Sequence, residues 1–147
     1  MFPAAPDERQ DRMSHFTRIR TTLRDAGLLA AALKEVGFGA AEVHDQPETL
    51  YGYRGDARPE RAEVIVRRKD IGPASNDIGF ARQPGGSFEA IISEFDRRTY
   101  DERWLLRLTQ AYGHAAALSY AQAHGYDVLT DEAEHDGTRR VTLRRIA

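Results

Sequence analysis

Tyr51, Tyr53 and Arg54, with Asp77 and Phe80 further along, are the residues of this 147-residue chain whose types best suit recognition. Tyrosines two apart on an extended stretch share a face and offer rigid, amphipathic area. Arg54 lies between Gly52 and Gly55, where a guanidinium on a tight loop can fork onto a carboxylate or phosphate. The plainer reading pairs Arg54 with Asp77 simply to hold the loop. Phe16 joins the set as an outward-facing aromatic on the first strand, so Phe16, Tyr51, Tyr53, Arg54, Asp77 and Phe80 are the candidate binding residues.

Groups that could do catalysis are sparser. Glu94 and Asp96 are two apart on a strand and so on one side of it, the minimum that general acid and base chemistry needs; a solvated strand end explains them as simply. Of the five histidines, His44 with Asp45 and His135 with Asp136 each sit at a strand end and could bind a metal only if the fold joined them. His15 falls on the inward row with Ile19 and reads as a core histidine, whereas His114 is off its helix's apolar stripe and reads as half exposed. There is no Gly-rich phosphate loop ending in Lys and Ser or Thr, no nucleophile elbow and no His-Glu-x-x-His run. No catalytic residue, metal or cofactor is assigned.

Composition excludes further classes. Without cysteine there are no disulfides, thiolate metal sites or cysteine nucleophiles. A formal charge of −2 provides no field that would draw the chain to nucleic acid. Arg18, Arg20, Arg67, Arg139, Arg140, Arg144 and Arg145 are interleaved with acids and lack a set of stacking aromatics, so nucleic acid is disfavoured. No apolar run approaches membrane-spanning length, and the N-terminus lacks signal-peptide character. The expectation is a cytoplasmic protein with no membrane partner.

The elements that must position these residues follow from periodicity. Met1–Arg12 has no buriable pattern and reads as a disordered leader, with Met13 an alternative start; residues 13–147 read as one domain. Thr17, Ile19, Thr21 and Leu23 alternate as a strand. Asp25 caps a helix that ends at Gly37. Glu42–Asp45 and Thr49–Tyr53 read as extended, Arg54–Glu60 as a return loop, and Ala62–Val66 as the clearest strand of the first half. Asp77–Arg82 and Phe88–Phe95 form a hairpin about the Gln83–Ser87 turn. A long helix then runs from a Thr99–Glu102 capping box to Gly125, with Trp104, Leu108, Ala111, Ala115 and Leu118 as its buried stripe. Tyr126–Glu134 and Thr138–Ile146 make a last hairpin around Asp136–Gly137, with Glu134 facing Arg139.

The predicted fold is α+β, an antiparallel sheet of six to seven strands with two helices packed on one face. The order strand-helix-strand-strand occurs twice and is compatible with a duplicated module. Met13, Ser14, His15, Phe16 with Ile19; Gly52, Tyr53, Arg54, Gly55; Asp77, Ile78, Gly79, Phe80; Leu108–Tyr112; and Gly125, Tyr126 with the Asp136–Gly137 hairpin together resemble the Ycf35 family, also called DUF1257. The resemblance covers nearly all of Met13–Ala147. That uncharacterised family occurs in bacteria, cyanobacteria and some algal plastids, and often has tryptophan where this chain has Glu94, Phe95 and Asp96. Its members are often encoded beside AAA+ ATPases, so the resemblance implies such an ATPase as a partner class.

Helices on one side of an antiparallel sheet leave the other side open. The expected function is therefore a non-catalytic interaction or adaptor protein. It would present that face, with Phe16, Ile65, Tyr51 and Tyr53 on its outward rows, and the Gly52–Gly55 loop to a protein partner or a second copy. The alternative is a small-ligand-binding domain of GyrI-like topology, by analogy of topology alone.

Overall fold

The computed structural model describes residues 15–146; the expectations for Met1–Arg12 and for the start at Met13 lie outside the described residues. The elements are β1 (Phe16–Arg20), α1 (Ala26–Glu35), β2 (Glu42–Tyr51), β3 (Ala57–Val66), β4 (Ile78–Arg82), β5 (Phe88–Ser93), α2 (Glu102–Ala123), β6 (Tyr126–Ala133) and β7 (Arg139–Arg145), with 3-10 turns at Arg68–Asp70 and Asp96–Arg98. β1-β5-β4-β3-β2 form one antiparallel sheet and β6-β7 a separate two-stranded one. The fold is α+β, with its strands divided five and two. The strand-helix-strand-strand order does recur, but the strands after α2 pair only with each other.

Both helices lie on one face of the main sheet. Leu29, Ala32 and Leu33 of α1 and Trp104, Leu108 and Ala111 of α2 pack with Val64, Val66, Ile78, Phe80, Phe88, Ala90 and Ile92. Asp25 caps α1, its carboxylate accepting from Leu28 N at 2.8 Å. The start of α2 differs from the expected capping box: Asp101 accepts from Trp104 N at 3.1 Å. Asp101 is extended, as an N-cap must be, whereas Thr99 is already in the right-handed helical region at the end of a 3-10 turn. Glu102 pairs instead with Arg97. Trp104 meets Tyr100 edge-on at 5.2 Å and Phe38 at 6.2 Å, which fixes the phase of α2 as expected.

The 22 residues of α2 extend about 33 Å at about 1.5 Å each, further than the sheet supports. Past Ala111 its one fully buried residue is Ala121, and there β6 and β7 lie against it. Four groups on four elements tie this end down. His114 is 2.7 Å from Asp131 and 3.4 Å from Glu35, and Arg139 reaches Glu35 at 2.5 Å and Asp131 at 3.1 Å. His114 is thus mostly enclosed rather than half exposed, and Arg139 does not pair with Glu134, which meets Arg140 at 3.2 Å. His15, expected in the core, is exposed.

The second face of the sheet is closed, which corrects the expected open face. Phe16, Leu50, Ala62, Ile65, Ala81 and Ile91 form a buried cluster there. Phe16 and Ile65 do point away from the helices, as their phase required, but Ile65 is fully enclosed and Phe16 is only 9% exposed. The cause is the β2-β3 hairpin. Its register shifts between Val43 and Glu48, around Pro47, and again between Thr49 and Tyr51, and each irregularity bends and twists the strand. Alternation slips on β3 as well: Ala62 shares the second cluster with Ile65, while Val64 faces the helices. The coiled hairpin lays Leu50 over Gly79, where an added Cβ would come within 2.9 Å of a Leu50 methyl and 2.8 Å of Ala62 Cβ. β2 is one strand through Gln46 and Pro47, and β3 begins at Ala57, so the expected return loop is mostly strand.

Candidate interaction site at the hairpin tip

Arching over the sheet brings the tip of the hairpin, Tyr51–Asp56, down on the loop before β4. Asp77 N donates to Tyr51 O at 3.0 Å. The Asp77 carboxylate, 1% exposed, accepts from Tyr51 N at 2.8 Å, Arg68 N at 2.7 Å and Arg67 Nη1 at 2.9 Å. Arg67 also donates to Thr49 O at 2.9 Å and forks onto both oxygens of Glu42 at 2.9 Å. This fork holds the Glu42 carboxyl at about 2, well below its ordinary 4.5. The arginine paired with Asp77 is therefore Arg67. Arg54 is exposed and lies over the Tyr53 ring at 5.4 Å.

A second buried node adjoins the first. Tyr53 N donates to Asn76 Oδ1 at 2.8 Å. Asn76 donates through Nδ2 to Ser93 Oγ at 2.9 Å, and its backbone N–H donates to Asp96 Oδ2 at 2.9 Å. Ser93 Oγ donates to the same Asp96 oxygen at 2.7 Å. Arg68 Nη2 closes the loop by donating to Tyr53 O at 2.6 Å. Charge-assisted bonds to buried carboxylates are stronger than neutral ones, so the tip is pinned through its main chain on both sides. Within it, Gly55 has φ +78° and donates to Gly52 O at 2.8 Å, and a Cβ on Gly52 would fall 2.7 Å from Asp56 Oδ1. The Gly-bounded motif is a tight turn whose left-handed position is taken by Gly55.

The pinning determines what the candidate residues can do. Asp77 is an internal anchor. Phe80 is fully buried in the helix-side core and cannot touch a partner, because β4 is central and its even positions face α1 and α2. Phe16 belongs to the second buried cluster. Tyr51, 40% exposed, Tyr53, partly buried, and Arg54 remain at the surface. Arg67 lies 5.7 Å from the Tyr51 ring, so each tyrosine of the tip carries a guanidinium. Such pairs contribute about 0.5–1 kcal/mol at exposed sites.

Glu94 and Asp96 do not form a carboxylate pair, since the strand ends at Ser93 and Asp96 turns inward while Glu94 is exposed. Ser93 and Asp96 have the contact of a nucleophile and a base, yet both are buried and engaged in holding Asn76. Asn76, Ser93 and Arg68 escaped the sequence reading, and Arg67 entered it only among the arginines weighed for nucleic acid. The signal for one of them was the Ser-x-x-Asp spacing of Ser93 and Asp96, which lets the serine hydroxyl accept from Asp96 N at 3.1 Å. Among the described residues, no three His, Asp or Glu side chains are placed to hold a metal ion, and no helix is long and apolar enough to cross a membrane.

The DUF1257 family, described as proteins of unknown function, matches residues 32–142. The chain is 25% identical over 138 residues to an uncharacterized protein ycf35 of Guillardia theta, 21% over 138 residues to that of Pyropia yezoensis and 22% over 134 residues to that of Cyanophora paradoxa. Each alignment covers 90% of this chain and 98% of the relative. No solved structure matches.

Proposed function

The chain belongs to the DUF1257 family, and from that premise we propose that it is a non-catalytic protein-interaction domain whose contact surface is the pinned hairpin tip. The observation that supports this reading is the division of labour at the tip. Asn76, Asp77, Ser93 and Asp96 are buried and bonded to main chain and to one another. The rings of Tyr51 and Tyr53 and the Arg54 guanidinium are left outward on a fixed backbone. Tyrosine and arginine are enriched among interface anchors, and a preorganised loop loses little freedom on binding. The open sheet face, closed in this fold, is no part of the reading.

An AAA+ ATPase is the partner class to test first, since the family resemblance implies it, with a second copy of the chain as the other. Tyr53→Ala and Arg54→Ala should each weaken binding to the purified ATPase, or self-association in sedimentation, by more than about 1 kcal/mol. Urea midpoints should stay near wild type. Undiminished binding by both variants would refute the reading, as would a global loss of stability in Tyr53→Ala with no partner found.

A further inference from the structure

The free edge of β1 and the groove beside it make a second surface, separate from the hairpin tip. β1 is the end strand of the five-stranded sheet. Its ladder with β5 is fixed by Glu94 N donating to His15 O and Thr21 N donating to Phe88 O. Hydrogen-bonded pairs alternate along an antiparallel ladder, so residues 17 and 19 also bond inward. Phe16, Arg18 and Arg20 then direct their backbone N–H and C=O groups to the outer edge. No described residue pairs with that edge.

Alongside it runs a groove of about 430 Å³ between Ile19–Leu23 and the first turns of α2, floored by Leu105 and rimmed by Leu106 and Thr109. Leu106 is 57% exposed. The two sides of the edge differ in chemistry. Ile19 and Thr21 face the helices and the groove, while Arg18 and Arg20 project on the opposite side. Arg18 meets Glu89 at 3.2 Å, with over half its side chain exposed.

We propose that this edge accepts an extended segment of another protein as a sixth strand, with apolar side chains entering the groove and acidic side chains facing Arg18 and Arg20. An added strand supplies partners for the three residues' free backbone groups, and its alternation matches the two sides. The same arginines argue against a second copy of the chain. The antiparallel self-pairing centred on β1 puts Arg18 directly opposite Arg18, and like charges in that position are destabilising.

The test uses the full chain and fluorescent peptides about eight residues long, close to the length of a typical strand, with valine alternating with glutamate or with lysine. The glutamate peptide should bind at least tenfold more tightly than the lysine peptide and should protect the amides of Arg18 and Arg20 from hydrogen exchange. Leu106→Asp and Arg20→Glu, both at exposed positions, should each weaken it at least tenfold without altering the fold, and Tyr53→Ala should leave it unchanged. Equal binding of the two peptides, no binding at millimolar concentration, or indifference to both edge variants would overturn the proposal. So would self-association that Leu106→Asp abolishes, or peptide binding that appears only when residues 1–12 are removed, since a second copy or the chain's own N-terminus would then be the occupant.

Discussion

Replacing Asp77 with alanine tests whether the arched hairpin depends on one buried carboxylate. The substitution removes the acceptor from Tyr51 N, Arg68 N and Arg67 Nη1 at once. Two backbone N–H groups lose their partner at about 1–3 kcal/mol each where water cannot replace it. Arg67 keeps Glu42 and Thr49 O, so its charge is only partly uncompensated. The expected loss is about 3–5 kcal/mol, the range for breaking a buried pair from one side. Asp77→Asn, which keeps an acceptor oxygen, should lose about half as much. Urea unfolding with an unchanged m-value is the assay, with exposed Asp70→Ala as the control. Amide exchange should show Tyr51 and Tyr53 losing protection ahead of β4 and β5. A loss below about 1 kcal/mol, or one no larger than that of Asp70→Ala, would refute the claim that Asp77 anchors the tip.

Gly79→Ala should cost about 1–3 kcal/mol by overpacking, because its Cβ would sit 2.8 Å from Ala62 Cβ and 2.9 Å from Leu50; Ala62→Gly in the same chain should restore part of that in thermal melts. Trp104→Ala should lose about 3–5 kcal/mol in urea unfolding, with the environment of Tyr100 and Phe38 altered in aromatic NMR shifts. The lowered Glu42 pKa makes its charged form stabilising. That contribution is complete above the ordinary 4.5 and disappears as pH falls toward about 2. Glu42 is 36% exposed, so after solvent screening the contribution is about 1 kcal/mol. Glu42→Gln should flatten the stability curve between those pH values, and a curve parallel to wild type would count against the Arg67 fork.

Local signals in the sequence carried the helices and the hairpins. Asp25, Gly37, the Trp104 stripe and Asp136–Gly137 act over a few residues and were legible for that reason. Thr99 misled because the residues before α2 form a 3-10 turn, which moves the extended cap position to Asp101. The phase of Phe16 and Ile65 was readable and their burial was not. Burial depended on β2 coiling over the sheet, which follows from two register irregularities and contacts more than twenty residues apart in sequence. Of the expected binding residues, Tyr51 and Arg54 are exposed and Tyr53 is partly buried. Asp77 and Phe80 belong to the inside: a polar residue beside a turn looks the same whether it faces water or main chain, and Phe80 is enclosed because β4 is central in the sheet.

The overhang of α2 gives the molecule two levels of cooperativity. No residue of β6 or β7 is fully buried, and an isolated two-stranded sheet is marginal in water. The last turns of α2 and this hairpin should therefore open as a separate unit, held by Ala121 and by the cluster of Glu35, His114, Asp131 and Arg139. Native-state exchange should release their amides through a sub-global opening while β3, β4 and β5 exchange only on complete unfolding. A label or fusion at the Asp136–Gly137 turn should therefore report this opening while leaving the five-stranded body undisturbed.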